Sequence, residues 1–187
     1  VVLGENHQID GAAYNQIVYK LLRRASCGCG GLAEIHMRPG TNYAQGLLTA
    51  FYPRTIEKLP VPPGVPDGIK KEFEESELCA SVQAWRAASA LLRSTLEKTL
   101  RANGYKKGSL ADRIDEAAAD GVITAARSKR AHDNVRVLGN DVLHDDWREV
   151  VEEEFDDAHR YAQRVLEDLY DDRPSVEAIL KAKGRVP

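Results

Sequence analysis

Three side chains have the types and spacing for acid–base chemistry on a phosphate ester: Arg136, Asn140 and His144. In a helix they fall at i, i+4 and i+8 along one stripe, and His132 extends that stripe by another turn. A positioned imidazole can take or give a proton at a ribose hydroxyl or a leaving oxygen, an effect worth roughly 10²–10⁴-fold. Arg136 can hold a phosphate by a charge-assisted fork, and Asn140 can orient the substrate or the imidazole. The same residue types also serve a structural or dimer-interface network. In that reading Asn140 and His144 cap backbone groups, Arg136 pairs with Asp141, Asp145 or Glu149, and Gly139 admits a close helix neighbour. Both readings stand.

A phosphate ligand needs positive charge around it. The formal net charge is -3, so attraction to nucleic acid has to come from a local patch. Arg86, Arg93, Lys98 and Arg101 give one helix a basic surface, and Arg127, Lys129, Arg130 and His132 form a second cluster. Arg93, Arg127, Lys129, Arg130 and His132 are the expected nucleic-acid contacts, with solvated helix faces as the competing explanation. Few aromatics are interleaved with these cations, which argues against a single-strand stacking platform.

Metal chemistry has weaker support. Cys27-Gly28-Cys29 is a single knuckle, whereas structural zinc takes four N or S ligands; His7 and His36 would have to complete the set at irregular spacing. No bound metal and no cofactor is the expectation, with the Ser26–Gly31 turn using its glycines for φ > 0. Glu72, Glu74, Glu75 and Glu77 lack matching His or Asp spacing and read as a solvated face. No phosphate-binding loop, dinucleotide fingerprint, His-Glu-x-x-His or Gly-x-Ser-x-Gly occurs. Catalysis, if present, is metal-free or uses groups scattered along the chain.

The elements that must position these residues divide the chain into residues 1–52, a small β-containing unit; 53–66, a connector with five of the eight prolines; and 67–187, a helical bundle. In the first, Tyr19–Ala25 and Leu32–Met37 read as a β-hairpin about the glycine-rich turn, with Leu32, Glu34 and His36 on one face and Ala33, Ile35 and Met37 on the other. Asp67 is the expected cap of a helix whose inner face is Ile69, Phe73, Ser76 and Ala80, with Cys79 a buried thiol. Gln83–Asn103 presents Trp85, Ala88, Leu92, Leu96 and Leu100. Ser109 and Asp112 form a capping box, and Asp120-Gly121 closes that short helix. Thr124 caps the next, in which Val135, Leu138 and Val142 make the core-facing seam. From Trp147, the series Val151, Phe155, Ala158, Ala162, Val165 and Leu169 predicts the last long helix, and Ser175 caps a final short one. Helices with short connections make an antiparallel bundle, so the fold class is α+β, mainly α.

Apolar residues at 43% and charged residues at 29% of 187 fit an ordinary globular chain. No segment approaches the roughly 20 apolar residues a spanning helix needs. The start has no basic segment followed by an apolar one, and three cysteines suit a reducing compartment, so a cytoplasmic location is expected.

Residues from about 66 to 170 resemble the DUF4145 family, a branch of the HEPN superfamily of helical bundles. The resemblance is carried by Phe73–Cys79 (FEESELC), Leu91–Glu97 (LLRSTLE), Asp120–Ile123 (DGVI) and, above all, Arg136–His144 (RVLGNDVLH). It implies a preceding zinc-ribbon-like module, of which Cys27 and Cys29 look like a degraded half. It further implies a homodimer acting on RNA, in many relatives a metal-independent ribonuclease of a toxin or defence system. In those ribonucleases four to six residues separate the catalytic Arg from the His. Here seven separate Arg136 from His144, and Gly139 stands five before it, so the signature Arg is absent or displaced by one turn. A non-catalytic dimerisation or adaptor module is the alternative.

Overall fold

The computed structural model describes residues 2–10, 15–23, 30–37, 46–54, 56–130 and 149–186. The chain forms two compact units, Val1–Ile56 and Glu57–Pro187. The fold is α+β and mainly helical.

The first unit is a four-stranded antiparallel sheet in the order β1 (Val2–Asp10), β2 (Asn15–Arg23), β3 (Gly30–Met37), β4 (Leu47–Tyr52). The expected hairpin is its centre, with Leu21 opposite Leu32 and Tyr19 opposite Glu34. The expected alternation also holds: Ala33 and Met37 are buried, while Leu32 and His36 are exposed. Gly31 is required by packing, since a Cβ there would lie 2.5 Å from the Phe51 ring. A hairpin alone understates the unit, because β1 and β4 add an outer strand on each side. β1 is mostly polar, and β4 exposes both Leu47 and Leu48. Neither has the clean period-2 pattern of a half-buried strand, and what places them is the backbone ladder of their neighbours.

In the second unit α1 (Asp67–Ser81) and α2 (Trp85–Ala102) form a tight antiparallel pair. Glu72 ties them by accepting from Ser94 at 2.8 Å and pairing with Lys98 at 2.7 Å. Ile69, Phe73, Ser76 and Ala80 are buried, as their spacing requires. Asp67 is the first helical residue rather than the cap: the Pro66 carbonyl already accepts from Ile69 and Lys70, so the helix begins one residue earlier. Cys79 is only half-buried. α2 buries Ala88, Leu92, Leu96 and Leu100 and ends at Asn103, with Gly104 at φ 93°.

α3 (Leu110–Ala119) has the full Ser109/Asp112 capping box. α4 is described over residues 125–130, its first bonds running from Arg127 and Ser128 to the Thr124 carbonyl. α5 (Glu152–Tyr170) buries Phe155, Ala158, Ala162, Val165 and Leu169, whereas Val151, expected in the same series, is exposed. It starts later than expected, because residues 149–151 are non-helical and Val151 is its N-cap. Glu152, Glu153 and Glu154 fill its first turn, where the helix dipole favours negative charge, and Glu154 reaches back to the Val151 N–H at 3.4 Å. α6 (Arg173–Ala182) carries Pro174 in its first turn, which places Ser175 inside the helix and makes Asp172 the cap. The proline-rich residues 57–66 run along this unit: Leu59 donates to Glu77, and the Pro60 carbonyl accepts from Gln163. Among the described residues no helix is long and apolar enough to cross a membrane.

Candidate anion-binding cleft

One flank of α5, beside its apolar seam, carries Asp157, Tyr161, Arg164 and Asp168 at successive one-turn steps, with Arg160 next to Tyr161. α4 lies against this flank. The Arg127 guanidinium donates to the Arg164 carbonyl at 2.6 Å and pairs with Asp168. Between the two helices and residues 57–59 opens a cleft of about 1020 Å³, lined in part by Glu57, Arg127, Arg130, Arg160, Tyr161 and Arg164.

Among the described lining residues four arginines stand with the carboxylates Glu57 and Asp157, and Asp168 and Glu167 pair with two of the arginines from beside the cleft. Arg127 is held by Asp168, whereas the other two pairs are more exposed. Arg160 stands 3.8 Å from Glu57 with both side chains mostly exposed, and Arg164 pairs with Glu167 at 3.1 Å. Exposed pairs of this kind contribute about 0–1 kcal/mol, so an incoming phosphate can exchange with them at little cost. Arginine suits that exchange because its donors form a fixed fork matched to phosphate oxygens. Tyr161 is 5% exposed. Burial pushes its hydroxyl well above the ordinary phenol range; Arg127 opposes this, and Asp115 and Asp168 reinforce it. Tyr161 therefore stays protonated and neutral across the physiological range.

Arg127 and Arg130, two of the expected nucleic-acid contacts, meet in this cleft. Lys129 is exposed outside the lining, and Arg93 lies on α2, paired with Glu97 at 3.0 Å. His132, Arg136, Asn140 and His144 lie outside the described residues, as do Cys27 and Cys29. Among the described residues no group of three or more His, Cys, Asp or Glu side chains could hold a metal ion. Arg160, Arg164, Tyr161 and Gln163 were not anticipated. Their signal was present, two arginines one turn apart on the last long helix, but the acidic first turns of that helix masked it.

A second polar pair lies in the core. His159 Nε2 sits 3.2 Å from Glu77 Oε1, and that oxygen also accepts the Leu59 N–H at 3.0 Å. Both side chains are at most 5% exposed. The imidazole stacks on Phe73 and Phe155, with centroids 4.9 and 5.3 Å away. Glu77 is thus not part of a solvated acidic face. It faces inward because position 77 falls one turn after Phe73, on the buried side of α1. The pair fixes residues 57–60, and with them one wall of the cleft.

Residues 74–184 match the domain of unknown function DUF4145. The match covers more than half of the chain, from the second turn of α1 to the end of α6, and encloses every cleft arginine. The chain belongs to the DUF4145 family. No curated protein and no solved structure matches it.

Proposed function

We propose that this protein is a HEPN-like RNA- or nucleotide-binding domain that holds ligand phosphates in the cleft between α4 and α5. The observation that carries the reading is the convergence of Arg127, Arg130, Arg160 and Arg164 on one open cleft, where the pairs of Arg160 with Glu57 and of Arg164 with Glu167 are exposed enough to give way to a phosphate. On this reading Arg136, Asn140 and His144 follow α4 in sequence as the reacting groups of a metal-independent ribonuclease. His144 serves as general acid or base, Arg136 holds the scissile phosphate and Asn140 orients them. The working form is a homodimer in the cytoplasm, in a bacterial defence or toxin-like system, with no cofactor.

The test is binding and cleavage of single-stranded RNA at several salt concentrations. Arg130→Ala combined with Arg164→Ala should weaken binding at least tenfold and flatten the salt dependence by about one to two counterions. His144→Ala should abolish cleavage and leave binding intact. Unchanged binding in the double variant would refute the cleft as the site.

The adaptor reading draws on a different surface. Leu21, Leu32 and Tyr52 stand directly opposite one another on three adjacent strands, at 46%, 36% and 55% exposure. An exposed apolar row on a sheet face suits a protein partner or a second copy of the chain. Leu32→Lys, compared with wild type for mass in solution, separates this reading from the first.

A further inference from the structure

The cleft carries a carboxylate of its own on one of the arginines that a ligand phosphate would use. Glu57 Oε2 stands 3.8 Å from Arg160 Nη2, and both residues line the opening. Their side chains are 73% and 62% exposed, so a ligand can reach both partners. What distinguishes Glu57 from a counter-ion in solution is its tether. Two residues on, the Leu59 N–H donates to the buried Glu77, and the Pro60 carbonyl accepts from Gln163 at 3.3 Å. Beyond them Pro62 and Val65 are buried. The carboxylate therefore hangs from a fixed segment and returns to Arg160 at the high effective concentration of an intramolecular partner. The partner of Arg164 is built differently. Glu167 accepts from Gln163 at 2.9 Å as well as pairing with Arg164, so it also braces the side chain that holds Pro60.

We infer that Glu57 is a built-in competitor of the ligand: it pairs with Arg160 until a phosphate displaces it, and that exchange sets the affinity of the site. The inference rests on the reading of the cleft as a phosphate site and adds to it how that site is regulated. A single free phosphate offers Arg160 little more than Glu57 already does. A strand that engages Arg130 and Arg164 at the same time outcompetes the tethered carboxylate. The cleft thereby favours ligands with several phosphates over single anions.

The experiment measures fluorescence anisotropy of labelled single-stranded RNA of mixed sequence, at low and at high salt, on the whole chain. It compares wild type, Glu57→Gln, Arg160→Ala and the double variant; Glu75→Gln, at an exposed acid of α1 outside the described lining, controls for net charge. Glu57→Gln should bind about two- to fivefold tighter than wild type at low salt, the size of an exposed ion pair, and the gain should shrink as salt rises. In the Arg160→Ala background the same substitution should give no gain, because the competitor has lost the group it occupies. Equal or weaker binding by Glu57→Gln overturns the inference and leaves the arginine cleft standing. A gain that Glu75→Gln reproduces, or that persists in full in the Arg160→Ala background, reduces Glu57 to general repulsion and overturns the inference as well. Binding by none of these proteins overturns the reading on which the inference rests, and the inference with it.

Discussion

Tyr105 and Tyr161 are the same side chain in nearly the same degree of burial, 0% and 5% exposed, and burial pushes both hydroxyls upward. They differ in one bond. Tyr105 donates to Asp120 at 3.2 Å, within a network in which Arg185 also reaches Asp120 and Glu116, each at 2.7 Å. Among the described residues Tyr161 has no such acceptor. Tyr170, a third buried tyrosine, accepts from Asn103 at 3.0 Å. Tyr105 and Tyr170 each meet a protein partner, whereas the buried Tyr161 hydroxyl meets none among the described residues. The His159–Glu77 pair repeats the closed pattern two residues from Tyr161, on the same helix.

The largest effect should come from breaking that closed pair. Glu77→Ala leaves the His159 imidazole and the Leu59 N–H without their acceptor. At about 1–3 kcal/mol for each buried unsatisfied group, it should cost roughly 3 kcal/mol in urea unfolding. A loss below about 1 kcal/mol would mean the pair does not secure residues 57–60. Next in size is Tyr105→Phe, which removes a hydrogen bond to a carboxylate and should cost about 2 kcal/mol. Set beside Tyr161→Phe, which should cost nothing, it tests the comparison directly: equal losses would erase it.

The smallest effect is a pH dependence. Burial alone would raise the Asp120 carboxyl, but the hydrogen bond and charge of Arg185, helped by Tyr105 and Lys183, outweigh it and hold the group below the usual carboxylate range. Because the folded value lies below the unfolded one of about 3.9, this stabilisation is complete above that pH and is lost as pH falls through the folded value. Arg185→Gln should therefore be less stable than wild type near neutrality, with the gap narrowing as the solution is acidified below about pH 4. A gap that stays constant with pH would show that the pair does not set the titration of Asp120.

Much of the bundle was legible in the sequence. The inner faces of α1, α2 and α5 were readable because helical periodicity is a local property, fixed by which residues share a stripe. The Ser109/Asp112 box and the Asn103-Gly104 stop were readable for the same reason. The sheet was half legible: β2 and β3 alternate, while β1 and β4 owe their place to pairing and carry little pattern of their own. The start of α5 was misplaced because Trp147 and Val151 extend its apolar spacing backwards, although the acidic first turn and its Glu154 contact begin at Glu152. The site was least legible. Arg127 and Arg130 stood out as a cluster, but Arg160 and Arg164 were hidden among the carboxylates of their own helix.

The sequence by itself determined the family, the helical faces and the supply of positive charge on either side of residues 131–148. Tertiary structure alone decided which polar groups are satisfied. His159 meets Glu77 across 82 positions of chain, and Arg127 meets Arg164 across 37. Periodicity places a side chain on a face, but the partner that face receives comes from another element, and only packing brings the two within the 3 Å or so that a hydrogen bond requires. That is why Glu77 read as a solvated acid and proved to be a buried acceptor, and why nothing in the spacing of Tyr161 marked its buried hydroxyl as one without a partner among the described residues.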